Sequence, residues 1–600
     1  MRGLSGAPCR LALLAACALP WGAALGACKL AKFAEFPITM TNLRPLMMAK
    51  INDRDVQFLV DSGAFFSMLS GASAAELNLK THMAPFGLYV TGLGGGATSV
   101  SVATVKEFTL AGVPIHDVDF LVGGSEIGSG SIGLLGQNIL HIGDVEYDLG
   151  QGVVRLMKPE DCRKSVLAYW LSGTSQPYSV IDIEPTSRER FHTLGFASVN
   201  GSEIRVMFDT GAGTSILSLR AAARAGVKLD SPGVVSGGVS HGIGKNTYPT
   251  YIAPFASFKL GDEEIKNTRL RIGDIELQDA DMLIGPDFFL SHRIYVANSQ
   301  HKLYFTYNGG PVFNLSGAKY AQASAEARPD APAEPAAVDD GGDAADLSRR
   351  GQALAARRDF EHALADLDRA CELAPDNPEY FYQRAVLHWQ MQQGALAMTD
   401  LDRAITLKPD DSPALLARAE LKLRGGDRQG AGTDLDAADA VTAKEADARL
   451  TMAAVYERLD RLEPATTQFD LWIAFHGADA RLPQALNGRC RAKALRGVDL
   501  EAARKDCDAA LSRAAKTSAF YAKFADSRGL VLLRLGDYDR SITDYDASLK
   551  INAKNAWSLY GRGIDKVREK KTAEGQADMD HASTIWPQIA EEFKRRGIVP

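Results

Sequence analysis

One pattern occurs twice in this 600-residue chain. Residues 56–70 read VQFLVDSGAFFSMLS and residues 204–218 read IRVMFDTGAGTSILS. The step is 148 residues, from position 61 to position 209. It relates Asp61-Ser62-Gly63-Ala64 to Asp209-Thr210-Gly211-Ala212, Ser67 to Ser215, Ser70 to Ser218 and, upstream, Asn52 to Asn200. A helical stretch follows in each copy (ASAAELNL, RAAARAGVKL), then a glycine-rich tip at 91–96 (TGLGGG) or 240–245 (SHGIGK). Two apolar residues and a glycine close each copy, Leu134-Leu135-Gly136 and Leu283-Ile284-Gly285, 75 and 76 residues past the aspartate. A pattern held in register over this length is a duplicated lobe. It restricts the fold to one in which two like halves meet.

Each copy drives an apolar strand, Phe58-Leu59-Val60 in the first, into a carboxylate and a sharp turn at glycine. Glycine permits the tight backbone and the close approach of another segment. A carboxylate ending a core strand is costly unless it is hydrogen-bonded or paired. Two of them, related by an internal repeat, place both strand ends at a common axis. The hydroxyls of Ser62 and Thr210 stand where they can tie the loops together, and the amides of Gly63 and Gly211 where they can donate to the carboxylates.

The motif resembles the retropepsin-like aspartic proteases: two apolar residues, then Asp-Thr/Ser-Gly-Ala, with an apolar-apolar-Gly strand behind. The resemblance covers residues 33–315 and implies an all-β bilobal acid-protease fold, carried in one chain as a pseudodimer. It implies Asp61 and Asp209 as the catalytic pair, with Ser62, Gly63, Ala64, Thr210, Gly211 and Ala212 as its support and Gly136 and Gly285 as structural glycines behind it. In aspartic-protease dyads, contact between like charges pushes one pKa up and leaves the other low. A water is then activated by one carboxylate while the other protonates the substrate carbonyl. The family's hairpin flaps fall on Gly92-Leu93-Gly94 and Gly242-Ile243-Gly244. Neither tip carries a tyrosine, though Tyr89 and Tyr248 are near, and His241 sits in the second.

Beyond the lobes the character changes. Residues 318–346 are rich in Ala, Pro and Asp and read as a disordered acidic linker. From 347 to 590 the spacing is helical, with a period of 34: Pro375 and Pro409, Arg384-Ala385 and Arg418-Ala419, and the Asp-Leu-Asp triplets at 366, 400 and 434. This resembles the tetratricopeptide repeat. It implies an all-α solenoid of six or seven units, whose concave face binds a protein or peptide partner. The triplets lack the glycine and final glutamate of a calcium loop and read as solvated helix faces.

The chain therefore divides into a signal peptide (1–27), a first lobe (28–170), a second lobe (171–317), the linker and the repeats. The signal has an Arg-bearing start, a short apolar stretch and a small-residue exit. No later stretch is long enough to span a bilayer. Leu25-Gly26-Ala27-Cys28 fits a bacterial lipobox, which leaves Cys28 acylated. Ala24-Leu25-Gly26 fits an ordinary cleavage site, which leaves it a thiol. Both readings place the protein outside the cytoplasm, in a bacterial periplasm. Cys490 with Cys507, on successive helices, and Cys28 with Cys162, at the ends of the first lobe, are the disulfide candidates, with Cys371 left as a buried thiol.

Several classes drop out. A net charge of -7 and no basic stripe argue against nucleic acid. No Cys/His/Asp spacing suggests a metal, and no cofactor is implied. Gly92, Gly94 and Ala97 fit a dinucleotide pattern only if a helix follows, and SVSVATV reads as a strand. Two readings from different classes remain: an exported aspartic endopeptidase acting on a polypeptide, and a non-catalytic periplasmic adaptor whose lobes bind peptide.

Overall fold

The computed structural model describes residues 28–84, 89–91, 97–124, 130–186, 191–241, 247–277, 279–313 and 342–600. The strand Arg54–Val60, which ends on Asp61, lies between Arg44–Ile51, antiparallel, and Gly133–Leu135, parallel. The second copy repeats this: Ser202–Phe208 lies between Leu194–Val199 and Met282–Ile284. The repeated asparagines now have a reason. Asn52 (φ 47) and Asn200 (φ 49) take left-handed backbone at the tips of these hairpins, which two-residue turns require. Their side chains then accept amides from the neighbouring hairpin, Glu107 at 3.1 Å and Ala256 at 2.8 Å.

The two lobes share a sheet, which the repeat alone does not reveal. Asp144–Asp148 of the first pairs with His292–Ala297 of the second, Val145 opposite Val296. Glu146 is fully buried at this seam. Its carboxylate is shared by Arg155 (2.8 Å), Arg293 (2.6 Å) and the Tyr169 hydroxyl (2.8 Å). A buried carboxylate needs such partners, and these come from both sides of the 170/171 boundary.

Fifteen helices follow, from Ala344–Ala356 to Ile589–Arg595: seven antiparallel pairs and a terminal helix. The first helix begins before residue 347 because Asp343 caps it, accepting the Asp346 amide at 2.9 Å. The last runs past 590 because Ile589 and Phe593 are buried against the preceding pair. The Asp-Leu-Asp triplets are solvated only at their second aspartates, Asp368, Asp402 and Asp436. Asp366, Asp400 and Asp434 are buried. Each takes a two-pronged hydrogen bond from an arginine 16 residues earlier: Arg350, Arg384 and Arg418, at 2.6–2.9 Å. Arg384 and Arg418 also reach back to Asp368 and Asp402, the second aspartates of the preceding triplets, at 2.8 Å. The planar guanidinium suits this bidentate geometry, so the charges staple one helix pair to the next.

Sulfur is bonded at two places, Cys28–Cys162 and Cys490–Cys507, and Cys371 is a free, buried thiol. Burial pushes the Cys371 thiol up to about 11, so it is unreactive at neutral pH. Cys490→Ser opens a 17-residue loop. By loop entropy it destabilises the repeats by about 3 kcal/mol. Denaturant unfolding followed by helix circular dichroism, with and without reductant, checks this: a reductant-insensitive midpoint in the native chain counts against the bond.

The repeats are not suspended from the lobes. Ala353 of the first helix belongs to the same apolar core as Ile38, Phe208 and Phe289. Arg357, just past that helix, is buried beside the Leu290 carbonyl (3.5 Å) and the backbone of Gly310. At the other end of the curve, helix Leu462–Phe475 comes back against helix Gly71–Glu76 of the first lobe. Among the described residues no helix is long and apolar enough to cross a membrane.

Candidate active site

Asp61 and Asp209 meet at the junction of the lobes, each 8% exposed. Their backbones are held from behind: the Asp61 amide donates to the Leu135 carbonyl (3.0 Å) and the Asp209 amide to that of Ile284 (2.9 Å). Gly136 and Gly285, next in each supporting strand, lie against the loops that follow the aspartates. A Cβ at Gly136 would strike the Ala64 carbonyl (2.8 Å), and one at Gly285 the backbone of Thr214 (2.6 Å). These residues cannot be larger without moving the aspartate loops.

The loops are laced across the junction. The Ser62 amide donates to Thr210 Oγ1 (3.0 Å), and Thr210 Oγ1 donates to the Val60 carbonyl (2.7 Å). In return the Thr210 amide donates to Ser62 Oγ (3.0 Å), and Ser62 Oγ to the Phe208 carbonyl (2.9 Å). Both hydroxyls are buried. Serine and threonine are interchangeable here because only the hydroxyl is used.

Within each loop the carboxylate is fixed by amides. Asp61 Oδ1 accepts from Gly63 (2.9 Å); Asp209 Oδ1 accepts from Gly211 (2.9 Å) and Ala212 (3.1 Å). Each carboxylate also lies over the other lobe's glycine. A Cβ on Gly63 would fall inside the Asp209 carboxylate, and one on Gly211 inside that of Asp61. The two carboxyls are hydrogen-bonded to each other.

Their electrostatics are unequal. Burial, then the charge of Asp209 and the hydrogen bond to it, hold Asp61 well above the ordinary carboxylate range. Burial raises Asp209 too. The hydrogen bond from Asp61, the Gly211 and Ala212 amides and the facing His192 pull it back. Both carboxyls are raised, Asp61 the further, so the pair holds one proton between them.

The lobes differ around this pair. Arg44 interacts with the charge of Asp61, and His192 with that of Asp209. They stand at equivalent positions, one repeat step of 148 apart. That step is the signal that would have found both from the sequence. Desolvation lowers the His192 pKa and favours neutral imidazole. Phe65, just past the first motif, packs on Phe191 at 4.9 Å, and Phe191 on His141 at 5.4 Å. Behind the loops, Ser67 donates to Asn138 Oδ1 (2.9 Å) and Ser215 to Asp287 Oδ1 (2.6 Å). These serve the repeated serines with different acceptors, neither of which sequence reasoning singled out.

The flap residues Gly92, Leu93, Gly94, Gly242, Ile243 and Gly244 lie outside the described residues. Tyr248 is buried, and burial raises its hydroxyl to about 12. Among the described residues no three His, Cys, Asp or Glu side chains converge as a metal site.

The family model described as aspartyl protease matches twice, at residues 47–139 and 197–288. Models described as TPR repeat and tetratricopeptide repeat match at 351–392, 378–411 and 523–555. No curated protein matches the chain. Solved structures similar to it include the anaphase-promoting-complex hetero-tetramer Cut9-Hcn1 (14% identity, 42% of this chain and 52% of that one, TM-score 0.30). Others are a tetratricopeptide repeat protein from Parabacteroides merdae (16%, 42% and 98%, 0.31) and pilF of Pseudomonas aeruginosa (14%, 36% and 95%, 0.28). The chain spans about half the length of the first of these.

Proposed function

We propose that this chain, two aspartyl protease domains followed by tetratricopeptide repeats, is an exported aspartic endopeptidase. The observation that carries this reading is the hydrogen-bonded pair of buried carboxyls, each pressed against the other lobe's glycine. Asp209, ionised, takes a proton from a water placed between the two carboxyls as that water attacks the scissile carbonyl. Asp61 gives its proton to the carbonyl oxygen, and a tetrahedral diol forms with no covalent enzyme intermediate. Its collapse returns a proton to the leaving amine. The glycines bring the acid and the base to one point, and the crossed hydroxyls keep them there.

Export rests on the leader sequence of residues 1–27. The Cys28–Cys162 bond favours an oxidising compartment. It also favours a free form over a lipid anchor, since one sulfur cannot carry both. The repeats supply a surface for polypeptide.

The reading makes a pH prediction. Activity needs one proton on the pair, so kcat/KM follows a bell whose limbs belong to the pair. Because Asp61 is held well above the usual range, the alkaline limb lies above that of an ordinary carboxylate. Stability follows the same sign. A raised folded pKa contributes stability fully present below the unfolded value and lost as pH rises through the folded one. The β half should therefore weaken on that same limb. Peptide hydrolysis and thermal unfolding measured across the same pH series test this; a flat rate profile would sink the dyad mechanism.

A further inference from the structure

The repeat array curves back on the first lobe, touching it at the helix Ala344–Ala356 and again at Leu462–Phe475. Between these contacts it encloses a cavity of about 1480 Å3, larger than the ~300–1,000 Å3 of common small-molecule sites. One wall is the concave face of four successive helix pairs, and the other is mostly the first lobe. The two aspartates do not line it, but residues beside them do. Gly213, four residues past Asp209, and Arg44, which senses the charge of Asp61, both line it. The concave face thus looks onto the first lobe and leads toward the aspartate loops.

We propose that this enclosed groove extends the cleft and binds a basic flank of the polypeptide substrate, a reading that rests on the aspartic-protease assignment. Its lining holds six carboxylates against three cations. Lys408 is matched by Asp411 (3.3 Å), and Asp447 by Arg481 of the adjoining turn (2.6 Å). Glu76 is matched by Arg54 (3.5 Å), while Arg44 and Arg358 make no ion pair among the described residues. Glu379, Glu420 and Glu445 have no ion-pair partner among the described residues. The charges of Glu379, Asp411 and Glu420 converge on the Tyr382 hydroxyl in mid-groove, which with burial raises it to about 12. The chain's own linker is the wrong occupant: residues 314–341 carry five carboxylates and two cations. An extended flank of about eight residues spans roughly 26 Å and passes its alternate side chains along this wall.

The test uses the full chain carrying Asp61→Asn, so that peptide is bound and not cut. Fluorescein-labelled peptides share one short apolar sequence. It is used alone, with a Lys-Ser repeat of about eight residues on either end, or with a Glu-Ser repeat of the same length. By anisotropy the Lys-Ser forms bind about tenfold tighter than the short peptide, and added salt erases the gain. In the same chain Glu379→Lys with Glu420→Lys moves the preference to the Glu-Ser forms, which mere misfolding does not do. Equal binding of the Lys-Ser and Glu-Ser forms, or a preference untouched by the double change, overturns the proposal. Cleavage is read separately on the native chain. A charge preference with no cleavage upholds the groove and fells the protease; cleavage with no charge preference does the reverse.

Discussion

Asp61→Asn and Asp209→Asn each lower kcat for peptide hydrolysis by about 10^3-fold or more, the scale of a lost general acid or base. Binding of peptide changes little. The two substitutions are nearly isosteric, and neither adds charge to a buried site that carries a single negative charge, so neither should unfold the lobes. The paired result matters more than either number. Asp61 lies in the first family match and Asp209 in the second, and only a shared site makes both indispensable. Rates from either variant within tenfold of the native chain would show that the carboxyls do not act together, and would favour a peptide-binding adaptor.

Thr210→Val should strongly destabilise the β half. It keeps the shape and removes the hydroxyl. The Ser62 amide and the Val60 carbonyl then lose their partners at a buried position. At about 1–3 kcal/mol for each stranded group, the loss is about 2–6 kcal/mol, a large share of a typical stability of about 5–15 kcal/mol. Thr210→Ser restores the hydroxyl and should recover both the unfolding midpoint and activity. Recovery by serine separates the hydroxyl's work from packing. A valine variant as stable and as active as the native chain would show that the crossed bonds are dispensable.

Much of this site could be read from the repeat, because duplication writes each constraint twice. The Asp-Ser/Thr-Gly-Ala motif and the distant glycines were visible because backbone close approach admits one residue type. Arg44 and His192 were not singled out: the pair shares a position, not a residue. The buried aspartates of the triplets were misjudged because a charged residue on a helix is usually solvated; their arginines lie 16 residues away, on a neighbouring helix. The shared sheet has no local signal, since the pairing of Val145 with Val296 joins segments from separate copies. The return of the array onto the first lobe depends on accumulated curvature, which no single repeat carries.

The position of Ala353 has a consequence for how the gene product can be divided. A boundary drawn through the compositional linker looks like a joint between modules. Physically the seam lies elsewhere. The first repeat helix completes the interior that begins at Ile38, Phe208 and Phe289, and Arg357 is sealed against Leu290 and Gly310. Ending the chain in the linker leaves this apolar surface bare, the kind of patch that drives self-association. The β half is therefore a fragment, since its interior is closed by a helix of the repeats.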